Sequence, residues 1–256
     1  MYMAQSYQHI TPELACQIRL VMADVDGTLT LGGDSISSIV LEVIRRLNEQ
    51  GIIVGLVSGR TLPMLESLAR NLGISGPIIA ENGGVAKLSA NGELLDLGYS
   101  RQPAIKAIER LKAQFPNRIK EREDNRDRLV DVVFWCQGIQ TEELRSHLDD
   151  AQLLDSGYIL HLMQKGVSKG RTLIRLLGRI GDGSLSPAEA LVIGDSTTDL
   201  SLFELFPHSV LIYNPKLPVE QRYLLQNAAK YVSEHPDGEG FAEMALHVIN
   251  ARACGM

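Results

Sequence analysis

Two aspartates separated by one residue are the first candidates for chemistry in this sequence. Asp24 and Asp26 follow the apolar run IRLVMA and are followed by Gly27 and Thr28. Because ligands of open α/β sheets bind beyond the carboxyl ends of the strands, both carboxylates would lie where a ligand binds. Two carboxylates this close repel each other unless a cation or a shared proton relieves the repulsion. The alternative is an Asp-rich turn, in which Asp and Gly serve only the backbone.

Polar residues also follow two other apolar runs. The run IIVGLVSG ends at Ser58 and Gly59, which offer a hydroxyl and an open backbone amide, although Ser is also a common helix cap. The run ALVIGDS carries Asp195, and Asp199 follows in the first turn of a predicted helix, where the helix dipole favours an acid in any case. Lys169 stands at another predicted helix start. A lone Lys is usually solvated, so Lys169 is a candidate site residue only in combination with the other polar residues.

This set of side chains predicts phosphoryl chemistry. Carboxylates from two strand ends suit Mg²⁺, which keeps several waters and often shares its site with phosphate. A carboxylate can attack phosphorus and form an acyl-phosphate, which divides one difficult step into two. A neighbouring Asp can protonate the leaving oxygen and then activate water. A small phosphorylated metabolite is therefore the expected partner.

The elements that must position these residues form an α/β pattern. Strand–helix alternation runs through both ends of the chain, and nearly continuous apolar strands are typical of a parallel sheet covered on both faces. The stretch VAKLSANGELLDLG predicts a hairpin around its Asn-Gly pair and begins a block of mixed strands and helices. We predict a doubly wound, Rossmann-like parallel sheet in a core domain of residues 1–84 and 166–256, with a smaller α+β cap domain inserted at 85–165.

The composition narrows the class of protein. The chain has 256 residues, a formal net charge of -6 and no dense Lys/Arg block, so we expect no nucleic-acid partner. Its three cysteines are far apart in the sequence, which disfavours a disulfide scaffold or a zinc site. The N-terminus lacks a basic leader followed by an apolar run, and no stretch is long and apolar enough to span a bilayer. We therefore expect a cytoplasmic protein without a membrane partner, and leave its oligomeric state open.

Four motifs, in this order along the chain, resemble those of the haloacid dehalogenase superfamily phosphatases: DVDGT at 24–28, SGR at 58–60, Lys169, and GDSTTD at 194–199. The inserted block between the second and third motifs, with ENGG at 81–84, is similar to the subgroup that has an α/β cap. That subgroup includes sucrose-phosphate phosphatase, mannosyl-phosphoglycerate phosphatase and an archaeal-type phosphoglycolate phosphatase. The resemblance implies Mg²⁺-dependent hydrolysis of a phosphomonoester through an aspartyl-phosphate.

The resemblance also implies roles for individual residues of the first three motifs. Asp24 would be the nucleophile and a metal ligand, and Asp26 would be the general acid and base and bind the metal through its backbone carbonyl. Ser58 and the Gly59 amide would hold the phosphoryl oxygens. Lys169 would neutralise charge on the phosphate and on Asp24.

The fourth motif and the ENGG stretch add further residues by the same resemblance. Asp195 would complete the metal site, and Asp199 would order a metal-bound water or Lys169. Thr198 departs from the subgroup, which usually has Asn there, so a direct contact near the metal or phosphate would be lost and the rate or metal affinity changed. Asn82, within ENGG, is expected among the substrate-binding residues.

Alternation along the cap strands predicts which face meets the substrate. The set expected to pack on the cap helices is Val130, Val132, Phe134, Tyr158, Leu160 and Leu162. Lys87 on the hairpin would join the open set, which contains Leu129, Asp131, Val133, Trp135, Ile159, His161 and Met163. Lys87 or His161 would pair with a carboxylate, as in phosphoglycolate, whereas Asp131 would accept sugar hydroxyls. The alternative is that these polar side chains are merely solvated, and the resemblance favours a small phosphorylated acid slightly over a sugar phosphate.

Two other functions fit the same fold. A phosphotransferase or phosphomutase would keep the same residues and exclude water from the aspartyl-phosphate. A catalytically silent regulatory binding protein would typically lack Asp24 or Asp26, and both are present. A nicotinamide dehydrogenase is disfavoured because no GxGxxG follows the first apolar strand.

Overall fold

A computed structural model describes residues 3–31, 35–157 and 159–255. Its strands, in chain order, are β1 (Gln5–Ser6), β2 (Leu20–Ala23), β3 (Ile53–Val57), β4 (Ile78–Ala80), β5 (Val85–Lys87), β6 (Ile119–Glu121), β7 (Val132–Cys136), β8 (Ala151–Asp155), β9 (Leu160–Gln164), β10 (Ala190–Gly194), β11 (His208–Leu211) and β12 (Tyr231–Val232). Its α-helices are α1 (Pro12–Gln17), α2 (Ser38–Glu49), α3 (Leu62–Leu72), α4 (Gln102–Gln114), α5 (Thr141–Arg145), α6 (Lys169–Leu177), α7 (Leu200–Leu205), α8 (Val219–Ala228) and α9 (Asp237–Gly255). In these ranges no helix is long and apolar enough to cross a membrane.

The larger sheet joins eight of the strands found in these ranges, in the order β1-β12-β11-β10-β2-β3-β4-β5. Neighbouring strands are parallel, except that β5 runs antiparallel to β4. Helices α2, α3 and α9 pack on one face, and α6, α7 and α8 pack on the other. Every residue of β2 and β10 is buried, which is the reason for their continuous apolar sequence. The sheet confirms the predicted doubly wound α/β fold.

The chain leaves β2 for β3 on one side, and β10 returns to pair with β2 on the other. The carboxyl ends of these three strands therefore lie side by side at one edge of the sheet. In open α/β sheets this reversal of strand order opens a crevice in which ligands bind. The topology thus brings the residues after β2, β3 and β10 to a single place.

The smaller sheet is antiparallel and has the order β6-β7-β9-β8. Helices α4 and α5 pack on one of its faces in a separate hydrophobic cluster. The strands and the helices of this unit all come from the middle of the chain, which confirms an inserted α+β unit. The limits 85–165 given to it from the sequence remain a proposal.

The first hairpin strand was assigned to the wrong sheet. Val85–Lys87 was expected at the start of the inserted unit, but it is β5 and pairs with β4 at the edge of the larger sheet. The turn that precedes β5 reverses the chain, so β5 pairs with β4, the strand directly before it. The second half of the hairpin is reduced to a bridge between Lys87 and Leu94. Pairing therefore places the change from one sheet to the other after Lys87.

Within the set expected to pack on the cap helices, the prediction is confirmed for four residues and wrong for Val130, and within the open set it is wrong for Met163. Those that pack against the cap helices as expected are Val132, Phe134, Leu160 and Leu162. Val130 and Met163 instead join the hydrophobic core of the larger domain. Both residues lie where the inserted unit meets the core. Alternation alone assigns Val130 to the cap helices and Met163 to solvent, but the core domain covers both. Tyr158 lies outside the described residues.

Candidate active site

A cavity of about 560 Å³ lies at the carboxyl edge of the larger sheet, beneath the inserted unit. The residues predicted from the sequence that line it are Asp24, Asp26, Ser58, Gly59, Asn82, His161, Lys169 and Asp195. Asp199 lies directly behind this lining, bonded to Lys169. Residues from β2, β3, β9 and β10 or the turns after them thus meet in one place, although they are far apart in the sequence.

Lys169 bridges two buried carboxylates. It is the first residue of α6, and the preceding Ser168 caps that helix by accepting a hydrogen bond from the Arg171 amide. Its Nζ donates to Asp24 Oδ1 at 2.8 Å and to Asp199 Oδ1 at 2.7 Å, and its side chain is only 1% exposed. Burial alone would lower the pKa of Lys169, but the charges of Asp199 and Asp24 outweigh it and raise that pKa. The ammonium therefore stays charged beside Asp24.

Asp24 is a buried carboxylate whose surroundings disfavour its charged form. It follows β2 and is almost fully buried. Burial raises the pKa of Asp24 to about 7, against the opposing charge of Lys169, while the carboxylates of Asp199 and Asp26 add to the rise. One ammonium therefore does not fully compensate the negative charge here. A further cation or a cationic group of a ligand would favour the ionised form that a nucleophile needs.

The carboxylate oxygens of Asp24, Asp195 and Asp199 lie within 4.8 Å of one another, close enough to hold a metal ion together. Among the described residues, the buried Asp195 Oδ1 has no hydrogen-bond partner, whereas Oδ2 accepts from Asn214 Nδ2 at 2.6 Å. Burial and the nearby charge of Asp24 raise the pKa of Asp195 well above its ordinary value. Hard carboxylate oxygens left without a partner fit a small divalent cation.

Asp199 is held by the protein on both of its oxygens. Oδ2 accepts from the amides of Asp195 and Ser196 at 3.1 and 3.2 Å, and Oδ1 accepts from Lys169. The resemblance left open whether Asp199 orders a metal-bound water or Lys169. The 2.7 Å hydrogen bond from Lys169 supports the second role.

Asp26 differs from Asp24 in exposure and in partners. Its side chain is 49% exposed and receives two hydrogen bonds from the Arg60 guanidinium, at 2.9 and 2.5 Å. The two aspartates of the first motif thus occupy different environments: Asp24 faces Lys169, and Asp26 lies at the mouth of the cavity. Such a difference suits two different chemical roles.

The turns after β3 and β4 form a second wall of the cavity. Asn82 adopts a left-handed backbone conformation, with φ of 54°, and its amide donates to the Ser58 carbonyl at 3.0 Å. Its side chain is 1% exposed and lines the cavity, and within the described residues neither its Oδ1 nor its Nδ2 has a hydrogen-bond partner. A buried amide without partners is costly, so this side chain is suited to bind a ligand.

Asp131 does not face the cavity, contrary to expectation. It is fully buried and lies behind His161, whose Nδ1 is 2.7 Å from Asp131 Oδ2. Arg128 donates to both Asp131 oxygens at 2.7 and 2.9 Å and to the Gly59 carbonyl at 3.0 Å. Burial opposes ionisation, but His161 and Arg128 outweigh it and lower the pKa of Asp131. Asp131 therefore orients His161 and Arg128, and these two side chains line the cavity.

Lys87 lies apart from the site. It was expected to face the substrate because it was assigned to the inserted unit, but β5 lies in the larger sheet. Its Nζ is 2.5 Å from Glu66 Oε1, on α3, and it does not line the cavity. The structure does not bring it together with His161.

Several cavity residues were missed from the sequence. Asn214 follows β11, at the same sheet edge as the predicted aspartates, so the rule that found those aspartates would also have found it. Arg60 belongs to the SGR motif and follows the end of β3, so the same rule would also have found it. Arg128 gave no such signal, because an arginine in a stretch with charges of both signs is usually solvated. Thr198 had been noted only as a departure, yet its Oγ1 lies 3.1 Å from Lys169 Nζ and supplies a contact to the ammonium.

Comparison with known proteins gives one consistent result. A family model described as haloacid dehalogenase-like hydrolase matches residues 21–125 and 99–244. A phosphoglycolate phosphatase of Methanoculleus marisnigri is 34% identical over 232 residues, which cover 88% of this chain and 94% of that protein. A crystal structure of a Thermoplasma acidophilum protein has a TM-score of 0.77 at 28% identity and covers 90% of this chain and 98% of its own. The sucrose-phosphatase of Synechocystis shares the fold, with a TM-score of 0.72 at 18% identity over 91% of this chain and 98% of its own.

Proposed function

This chain belongs to the haloacid dehalogenase-like hydrolases, and from that premise we propose that it is a Mg²⁺-dependent phosphatase of a small phosphorylated acid. The observation that carries the proposal is the meeting of Asp24, Asp26, Lys169 and Asp195 around one cavity, with Asp24 bonded to Lys169. The named phosphoglycolate phosphatases that the chain resembles support the same reaction class.

In the proposed reaction Asp24 attacks the phosphorus of the substrate. A bond forms between an Asp24 carboxylate oxygen and phosphorus, and the bond from phosphorus to the ester oxygen breaks. Asp26 gives its proton to the leaving oxygen. Asp26 then takes a proton from a water that attacks the aspartyl-phosphate, which releases inorganic phosphate and restores Asp24. Asp26 suits this exchange because it is partly exposed and borders the cavity.

The remaining core residues would bind charge. Lys169 holds Asp24 in place and would offset the negative charge of the phosphoryl group. Ser58 and the backbone amide of Gly59 would hold phosphoryl oxygens, because both residues line the cavity next to Asp24. Asp24 and Asp195, with the Asp26 carbonyl, would hold Mg²⁺, and Asp199 would act by fixing Lys169. When bound, Mg²⁺ would supply positive charge that neutralises the phosphate and the carboxylates.

We propose that the inserted unit reads the part of the substrate beyond the phosphate. Arg122, Arg128 and His161 are nitrogen-bearing side chains of this unit that line the cavity, and Arg128 also donates to the Gly59 carbonyl. Nitrogen donors in the same cavity as the proposed phosphate-binding turn suit a carboxylate, as in 2-phosphoglycolate, better than they suit an apolar group. Asn82, with its unpartnered amide, would bind a polar group of the substrate between these two walls.

The test is a phosphate-release screen with 2-phosphoglycolate, sugar phosphates and p-nitrophenyl phosphate, each with Mg²⁺ and with excess chelator. We expect activity that requires Mg²⁺ and is highest on a small phosphorylated acid. Asp24→Asn is the matched control, because it keeps the shape of the side chain but cannot form the acyl-phosphate. An equal rate with chelator, or near-normal activity of Asp24→Asn, would disprove the mechanism. Transfer of phosphate to an added alcohol or sugar in place of water would identify a phosphotransferase.

A further inference from the structure

Glu81 is a buried carboxylate that the proposed reaction does not use. It follows β4, is 0% exposed and has a left-handed backbone conformation, with φ of 50°. Its carboxylate accepts three backbone hydrogen bonds from consecutive residues of the inserted unit. The Leu129 amide donates to Oε1 at 2.8 Å, and the Val130 and Asp131 amides donate to Oε2 at 2.7 and 2.9 Å. One core side chain thus holds the segment that leads into β7.

The backbone of Glu81 belongs to the wall of the cavity that would bind phosphate. Its amide donates to the Arg60 carbonyl at 3.0 Å, and the amide of the next residue, Asn82, donates to the Ser58 carbonyl at 3.0 Å. The turn after β4 is therefore bonded to the turn after β3. A shift of Glu81 relative to these turns would require at least one of these bonds to break.

The segment that Glu81 holds also carries the residues that orient His161. Asp131 accepts from His161 and from Arg128, and Arg128 donates to the Gly59 carbonyl. The position of the Asp131 carboxylate depends on its own backbone, whose amide is bonded to Glu81. A chain of hydrogen bonds therefore runs from Glu81 through Asp131 to the imidazole in the cavity.

We propose that Glu81 is a positioning residue that fixes His161 relative to the phosphate-binding turn and thereby sets which substrates the enzyme prefers. This inference rests on the proposed function. Glu81 does not line the cavity, so it acts through Asp131 and His161. Its loss should therefore weaken the discrimination between substrates. Turnover of a substrate without a group that His161 can bind should change less.

Two acceptor oxygens are required for this geometry. Three amides converge on two oxygens, and a Gln side chain offers one oxygen and an amide group that would face a backbone donor. Burial and the neighbouring Asp131 charge raise the pKa of Glu81 to about 7, against the three amides. Removing the acceptor leaves buried amides without partners, which costs more than the hydrogen bond itself contributes.

The test compares Glu81→Gln, Glu81→Asp and the surface control Glu93→Gln, which removes the same charge at an exposed position. The ratio of kcat/KM for 2-phosphoglycolate to that for p-nitrophenyl phosphate is measured for each variant. We expect Glu81→Gln to lower this ratio about 10-fold or more, with a smaller change in kcat on p-nitrophenyl phosphate. Glu81→Asp keeps the charge but shortens the reach, and should lower the ratio as well.

A double-mutant cycle with His161→Ala separates positioning from general destabilisation. If Glu81 acts through His161, Glu81→Gln will not lower the ratio further once His161 is absent. Independent losses in the double mutant, or an unchanged ratio in Glu81→Gln, would overturn the proposal.

Amide hydrogen exchange tests the same link without any activity. The amides of residues 129–131 should exchange slowly in the unmodified protein and in Glu93→Gln, and faster in both Glu81 variants. Equal exchange in all of them would refute the link. If the unmodified protein hydrolyses no phosphomonoester, the proposed function fails, whereas these exchange rates still decide whether Glu81 holds the segment.

Discussion

Replacing Lys169 with Met tests the centre of the proposed site. Met is similar in length, so it fills the space, but it has no charge and no donor. The change removes hydrogen bonds to Asp24, Asp199 and Thr198, at 2.8, 2.7 and 3.1 Å. Two almost fully buried carboxylates would then face each other without the cation that separates them.

The expected effects follow from these contacts. Removing one partner of a buried ion pair leaves an uncompensated charge and typically lowers the free energy of unfolding by about 3–5 kcal/mol. Part of this loss should be recovered with added Mg²⁺, which would bring positive charge to the same carboxylates. Loss of a preorganised positive group beside the phosphoryl oxygens should lower kcat by about 10²–10³-fold.

Urea unfolding with and without Mg²⁺ measures the first effect, and steady-state phosphate release measures the second. Lys112→Met is the matched control, because Lys112 forms an exposed ion pair with Glu121 and should contribute less than about 1 kcal/mol. If Lys169→Met folds with normal stability and keeps a normal kcat, Lys169 does not hold the catalytic carboxylate, and the reasoning is wrong.

Four other changes give distinct outcomes. Asp26→Asn should lower kcat by about 10²–10⁴-fold in steady-state assays, and an unchanged kcat would exclude it as the acid and base. Asp131→Asn should lower the free energy of unfolding at pH 7. Because the folded-state pKa of Asp131 lies below its usual 3.8, the loss of unfolding free energy relative to the unmodified protein should shrink only as the pH falls below 3.8. A loss that is independent of pH would contradict this. His161→Ala should weaken hydrolysis of 2-phosphoglycolate more than that of p-nitrophenyl phosphate, and equal losses would count against it as a substrate reader. Lys87→Met should leave both kinetic constants unchanged, and a raised KM would return Lys87 to the site.

Much of the core could be predicted from the sequence, because the relevant signals are local. A buried parallel strand is apolar along its whole length, as in β2 and β10, and the polar residues directly after it mark the ligand edge of the sheet. Asp24 and Asp195 were found in this way, and both line the cavity. Their assigned roles remain proposals, but their meeting at one edge follows from strand order.

The inserted unit was harder to predict, because alternation says which side of a strand a residue faces and not what covers that side. Asp131 and His161 were both assigned to the open face of the cap sheet. The cavity reaches His161, whereas Asp131 is covered by Arg128 and the turn after β4. For Lys87 the error came from the pairing of its strand, which local sequence does not specify.

The sequence by itself determined the α/β class, the order of the motifs and the strand ends at which Asp24, Ser58 and Asp195 lie. Those features depend on periodicity and on turn chemistry within short segments. The tertiary structure decided that Lys169 bridges two carboxylates and that Glu81 bonds the core to the inserted unit. Both contacts join residues about 30 to 145 positions apart in the sequence, and such contacts depend on how the elements pack against each other.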